Sequence, residues 1–175
     1  MIIPVVCLSQ TNSGTIEVSD YKTIDIIKTS SSQSIKLINI EKQPVNGSWS
    51  QLNNFLGIAN PSCSNTDSGN NCYFQLSGIE IYFSDRLGDF TMGKLSIDSP
   101  DFAMKINGII IKVGDNVSKI ASVQQDAYSK RHSIDTGDGI VHQVLIRLKY
   151  VDTVISFEYN SSTNKITLIT VFNPL

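Results

Sequence analysis

The sequence predicts an α+β fold in which an antiparallel β-sheet meander carries one or two short helices packed on one face. Three observations lead there. A ten-residue pattern occurs twice, as FQLSGIEIYF at 74–83 and MKINGIIIKV at 104–113. Each copy alternates apolar and polar residues, breaks at Ser77-Gly78 or Asn107-Gly108, and resumes on the other parity, as a two-residue hairpin does. The closing third holds three alternating runs joined by short connections: Ile140 to Tyr150, Ile155 to Tyr159, and Ile166 to Phe172. Two segments switch to helical spacing, with Trp49, Leu52, Phe55 and Leu56 on one face and Val117, Ile120, Ala121 and Gln124 on another.

Taken in order, residues 1–14 read as a signal-peptide remnant or N-terminal tail. They are apolar through Leu8 and then abruptly polar, without a basic n-region. Residues 15–175 read as a single α+β domain, and whether its halves 15–98 and 99–175 are related copies stays open. Ile16-Glu17-Val18 and 23–28 alternate as strands, and Ile35, Leu37 and Ile40 resume the pattern after a Ser-rich turn. Ser48 caps a helix expected over 48–56, which Gly57 ends. A polar loop between Cys63 and Cys72 leads into the first hairpin, and 91–97 adds a strand. The second hairpin ends at Gly114, and Asp115 is a plausible N-cap for a helix over 115–125. One helix must cover the apolar face of the meander that follows.

A chain of 175 residues buries about two-thirds of its unfolded-chain surface, enough for a core. Charged residues are 17% and the formal net charge is −2, without a basic cluster, so nucleic acid is not an expected partner. No run approaches the ~20 apolar residues of a membrane span. Of three cysteines, Cys63 and Cys72 bracket eight polar residues with no apolar anchor, a loop that gains from a covalent tie. That disulfide would place the chain in an extracytoplasmic compartment, periplasmic or secreted, with envelope association open. Free thiols are the alternative, and Cys7 is expected to be unpaired or removed.

Residues 111–115 leading into Val117 and Ile120, then 155–159 and Lys165-Ile166, describe a strand, a Gly, a helix start and a closing hairpin. Over about the last 75 positions this order resembles the β-lactamase-inhibitor protein family and the small outer-membrane assembly lipoproteins. The resemblance implies a binding or inhibitory module and supplies no individual site residue.

The chemistry-bearing residues are few. His142 lies on an apolar alternating face and His132 follows Lys130-Arg131, and a serine or cysteine nucleophile would need one of them as base with a third group orienting it. Asp135-Thr136-Gly137 is similar to the aspartic-protease tripeptide, but the chain holds no second copy, and Asp135 to Gly139 reads better as turn chemistry. His132, Asp135 and Asp138 match no metal-ligand spacing, and no cofactor is expected. The leading expectation is a non-enzymatic extracytoplasmic protein-binding module, an inhibitor or immunity-type protein whose partner is a toxin or hydrolase. Its rival is a structural envelope or surface component, an assembly lipoprotein or adhesin-like module. Asp67, Asn70, Asp135 and Asp138, in polar Gly-containing loops, are the candidate partner-binding residues.

Overall fold

The structure, a computed structural model, describes residues 14–16, 21–41, 48–66, 69–85, 90–149 and 151–173. Its elements run β1 (Gly14–Ile16), β2 (Asp25–Lys28), β3 (Gln33–Lys36), α1 (Leu37–Glu41), α2 (Ser50–Leu56), β4 (Ser62–Thr66), β5 (Gly69–Leu76), β6 (Ile79–Ser84), β7 (Thr91–Ile97), β8 (Phe102–Ile106) and β9 (Ile109–Lys112). A 3₁₀ helix (Val117–Ser122) and α3 (Gln125–Ser129) precede β10 (His132–Asp135), β11 (Ile140–Leu148), β12 (Val154–Asn160) and β13 (Lys165–Phe172). A nine-stranded sheet orders them β1-β11-β12-β13-β7-β6-β5-β4, with β10 also on β11, and a four-stranded sheet runs β3-β2-β8-β9. The α+β class and the antiparallel meander β11-β12-β13 are present as the sequence predicts, and β1 on β11 is a parallel pair.

Alternation in the sequence becomes sidedness in the sheets. Phe74, Ile81, Leu95, Val171, Ile155 and Ile146 stand opposite one another on successive strands of the large sheet, and all are buried. Ile79, Ile97, Ile169, Phe157 and Val144 form a second buried row on the same face. The small sheet contributes Ile35, Ile26, Met104 and Ile111 in register. All belong to one hydrophobic cluster, and each such burial is worth about 1.5–3 kcal/mol. α2 buries Leu52, Phe55 and Leu56 there. Trp49 before it packs edge-on against Phe74, Phe83 and Phe90, while Phe55 meets Phe102 of the small sheet.

The two hairpins share register, Leu76 opposite Ile79 and Ile106 opposite Ile109, yet stand in different sheets. Strands from 15–98 and 99–175 also mix in both sheets, since β13 pairs β7 and β2 pairs β8.

Four local expectations are corrected. The helix over 115–125 is a 3₁₀ turn from Val117 to Ser122, then an extended Gln124, then α3. β-Branched Val117, Ile120 and Val123 with two serines favour the α-helix poorly, and the Gln124 amide donates to the Thr15 carbonyl, which holds it out of the helix. Its cap is Asn116, whose Oδ1 accepts the Ser118 N–H at 2.9 Å, rather than Asp115. Leu37 to Ile40 turn helical instead of continuing β3, because Leu37 and Ile40, three apart, both point into the core. The helix expected to begin at Ser48 begins at Ser50.

Candidate functional site

The cysteine segment is not an irregular loop but the antiparallel hairpin β4–β5, with Cys63 directly opposite Cys72 and the two joined by a disulfide. Cys72 points into the core and Cys63 sits on the exposed edge strand. Asp67 lies outside the described residues, as does Cys7. Asn70 is in β5, where its backbone N–H and side-chain amide both donate to the Asp85 carboxylate, at 2.7 and 2.6 Å. A Cβ on Gly69 would come within 2.7 Å of Asp85 Oδ1, so glycine gives that carboxylate its seat.

Asp135 and Asp138 lie at the other end of the strand order. His132 to Asp135, expected to be connection, forms β10, a polar edge strand that hydrophobic alternation does not announce. Asp135 Oδ1 accepts the Gly137 N–H at 2.9 Å and the Thr136 N–H reaches the Gly139 carbonyl, so Asp135 to Gly139 closes a hairpin. Asn70 is thus not brought together with Asp135 and Asp138.

The histidines stand on this second hairpin. Ser133 Oγ is 2.7 Å from His142 Nδ1, the two being cross-strand neighbours, and the His142 ring lies 5.7 Å from that of Tyr159. On the opposite face, Ser156 Oγ donates to Gln143 Oε1 at 3.1 Å, and the Gln143 amide reaches His132 Nε2 at 3.0 Å. Glu158, opposite Gln143, has its carboxyl pushed above the usual range by burial, with Lys94 acting against the shift. A shallow pocket of about 300 Å³ adjoins them, lined by His142, Glu158, Tyr159 and Thr167 among others. Among the described residues no group of three His, Cys, Asp or Glu side chains could hold a metal ion, and no helix is long and apolar enough to cross a membrane.

A cleft of about 600 Å³ opens beside the small sheet, lined by Asp25, Gln33, Lys36, Asn39, Gln51 and Phe55, with Lys36 Nζ 3.5 Å from Asp25 Oδ1.

The outer face of the large sheet is polar and exposed at Gln75, Glu80 and Lys94, while towards β11 it carries Phe172, Leu168, Val154 and Leu145 and buries Thr170 and Ser156. Gln75, Glu80, Ser96, Thr170 and Ser156 face one another across five strands, on the side away from the core. Beside them Tyr73 is opposite Tyr82, and Tyr82 opposite Lys94. The tyrosine rings are 4.9 Å apart and inclined at 36°, and Tyr73 is 42% exposed. Between Met92 and Lys94 the register slips by one residue, leaving Gly93 as a bulge, where a Cβ would meet the Tyr82 ring at 2.8 Å. Neither tyrosine is among the candidate residues that loop composition marks. Counting outward from Ser77-Gly78 would have set Tyr73 opposite Tyr82.

No family model matches the chain, and no curated protein matches it. Among solved structures it is similar to an extracellular protein containing an SCP domain from Bacillus anthracis, at 10% identity and a TM-score of 0.45, over 78% of this chain and 45% of the other. A cysteine-rich secretory protein from Staphylococcus aureus aligns at 13% identity and a TM-score of 0.39, over 77% and 47%. The chain thus spans less than half the length of either.

Proposed function

We propose that this chain is an extracytoplasmic, non-enzymatic binding module, a surface or envelope component that holds its partner on the outer face of the large sheet. The observation that carries the reading is the Tyr73–Tyr82 pair, a partly exposed aromatic surface beside exposed Gln75, Glu80 and Lys94 on a sheet backed by two buried apolar rows. A face built on rigid strands presents side chains in fixed positions. The disulfide supports the compartment. Cys63 is exposed, so a reducing cytosol would reach the bond, and such bonds persist in oxidising surroundings. The Ser133–His142 contact is what adjacent residues of a hairpin make without any catalytic demand.

An inhibitor or immunity-type protein is the second reading, and the exposed Asp135 to Gly139 turn favours it as a point that could enter a partner's cleft. Cell fractionation with alkylation of unreduced protein tests the first reading. An exported chain with Cys63 and Cys72 protected is expected, and a cytoplasmic chain with both thiols alkylated overturns it. Hydrolysis lost on Ser133→Ala would overturn the non-enzymatic assignment. Loss of a captured protein partner on Asp138→Ala would transfer the function to the turn.

A further inference from the structure

Tyr82 has a structural duty, because its ring lies over Gly93 and shields a backbone that carries no side chain. Among the described residues no glycine lies against Tyr73 as Gly93 lies against Tyr82. Tyr73 lies outside Tyr82, extends that ring into a wider aromatic surface, and keeps 42% of its own area in solvent. We propose that Tyr73 and Tyr82 form the stacking platform of a glycan-binding face, which takes a neutral, hydroxyl-rich polysaccharide chain. The proposal rests on the binding-module reading and names the partner's chemistry.

The chemistry of the surrounding side chains selects that partner. A pyranose ring presents C–H groups on its flat side and hydroxyls around its rim. The electron-rich face of an aromatic ring attracts the first, and the second need both donors and acceptors. Gln75 supplies a donor and an acceptor, Glu80 an acceptor, Lys94 a donor and Ser96 both, all on the face that carries the tyrosines. Gln75, Glu80 and Lys94 are exposed and so available to a ligand. Glu80 and Lys94 balance in charge, so a polyanion gains no net attraction. Past Lys94 the row continues to half-buried Phe172 and buried Val154, which leaves Tyr73 as its one exposed large apolar side chain, too little for the desolvated centre of a protein interface.

The platform is also held in place before any ligand arrives. Tyr82 Oη donates to Asn71 Oδ1 at 2.7 Å, which fixes the ring's direction. Tyr73 directly follows Cys72, whose disulfide to Cys63 fastens β4 to β5. A surface that need not be ordered on binding loses less affinity to entropy.

Nuclear magnetic resonance titration of the oxidised full chain with chitohexaose, cellohexaose and laminarihexaose tests the assignment. At least one of these sugars is expected to shift the amides of Tyr73, Gln75, Glu80, Tyr82 and Lys94 while leaving the β10–β11 hairpin unmoved. Tyr73→Ala, a change at a partly exposed position, should weaken that binding about tenfold or more, and Tyr73→Phe should retain it. Silence of the face with all three sugars overturns the proposal, as do shifts confined to the Asp25–Gln51 cleft or an unchanged affinity in Tyr73→Ala. An exported, disulfide-bonded chain that is silent to the sugars sinks the glycan assignment alone, whereas a reduced cytoplasmic chain sinks the binding-module reading beneath it.

Discussion

Asp85 grips Asn70 twice, accepting its backbone N–H at Oδ1 and its side-chain amide at Oδ2, at 2.7 and 2.6 Å. The Asp85 N–H in turn donates to the Asn70 carbonyl at 3.0 Å, so the start of β5 and the chain just past β6 are joined by three hydrogen bonds. Bonds to a carboxylate are among the stronger ones a protein makes. Asp85→Ala is therefore expected to cost about 1–2 kcal/mol in urea unfolding and to speed exchange of the Asn70 amide. Exchange at the wild-type rate would mean the carboxylate is solvated and holds nothing.

The Cys63–Cys72 bond closes a short loop, with a sequence separation of nine. On the chain-entropy account a loop of that length contributes about 2.7 kcal/mol, by restricting the unfolded chain. Reduction, or the Cys63→Ser change at the exposed partner, should lower the unfolding free energy by roughly that amount while the core rows stay packed. Near-ultraviolet circular dichroism together with urea midpoints would show it. A collapse of tertiary signal at low urea would instead make the bond a condition of folding.

What the sequence disclosed follows from where one face is buried. Alternation is plain at Phe74 and Ile81 because β5 and β6 have a wet side and a dry side, whereas β11 and β12 bury Leu145, Val154 and Ser156 on the other side as well. Asn107-Gly108 announced its hairpin because both residues adopt positive φ, 49° and 81°. β4 and β10 were invisible because edge strands of Ser, Asn and His carry no apolar period, and their pairing is decided by the neighbour strand. The broken helix at Gln124 depends on a hydrogen bond to Thr15, 109 residues away in sequence. Asp and Asn in Gly-containing loops mark candidates by composition, which says nothing about distance. Asn70 and Asp135 turn out to stand towards opposite ends of the sheet order.

Gly93 is the residue whose smallness the outer face depends on. Its added Cβ would lie 2.8 and 2.9 Å from two atoms of the Tyr82 ring. Gly93→Ala should destabilise by about 1–3 kcal/mol, as overpacking does. In Gly93→Ala/Tyr82→Ala the penalty should fall short of the sum of the single changes, since one obstacle serves both. Strict additivity in a thermal or urea series would show that the ring moves aside freely.

Glu158 sets a pH dependence whose sign can be worked out. Burial raises its carboxyl above the ordinary value of 4.5 in the folded chain, and Lys94 partly offsets that rise. Between the ordinary and the raised value the folded state binds more protons than the unfolded state, so stability falls as pH rises through that window. Below 4.5 the group is protonated in both states and costs nothing, and above the raised value the loss is complete. Glu158→Gln removes the titration, so its stability relative to wild type should improve on going from acid to neutral pH. Lys94→Met removes the offsetting charge and should steepen the wild-type fall. Urea midpoints across that range for the three proteins provide the comparison. A Glu158→Gln curve that runs parallel to wild type would show that the carboxyl is hydrated alike in both states.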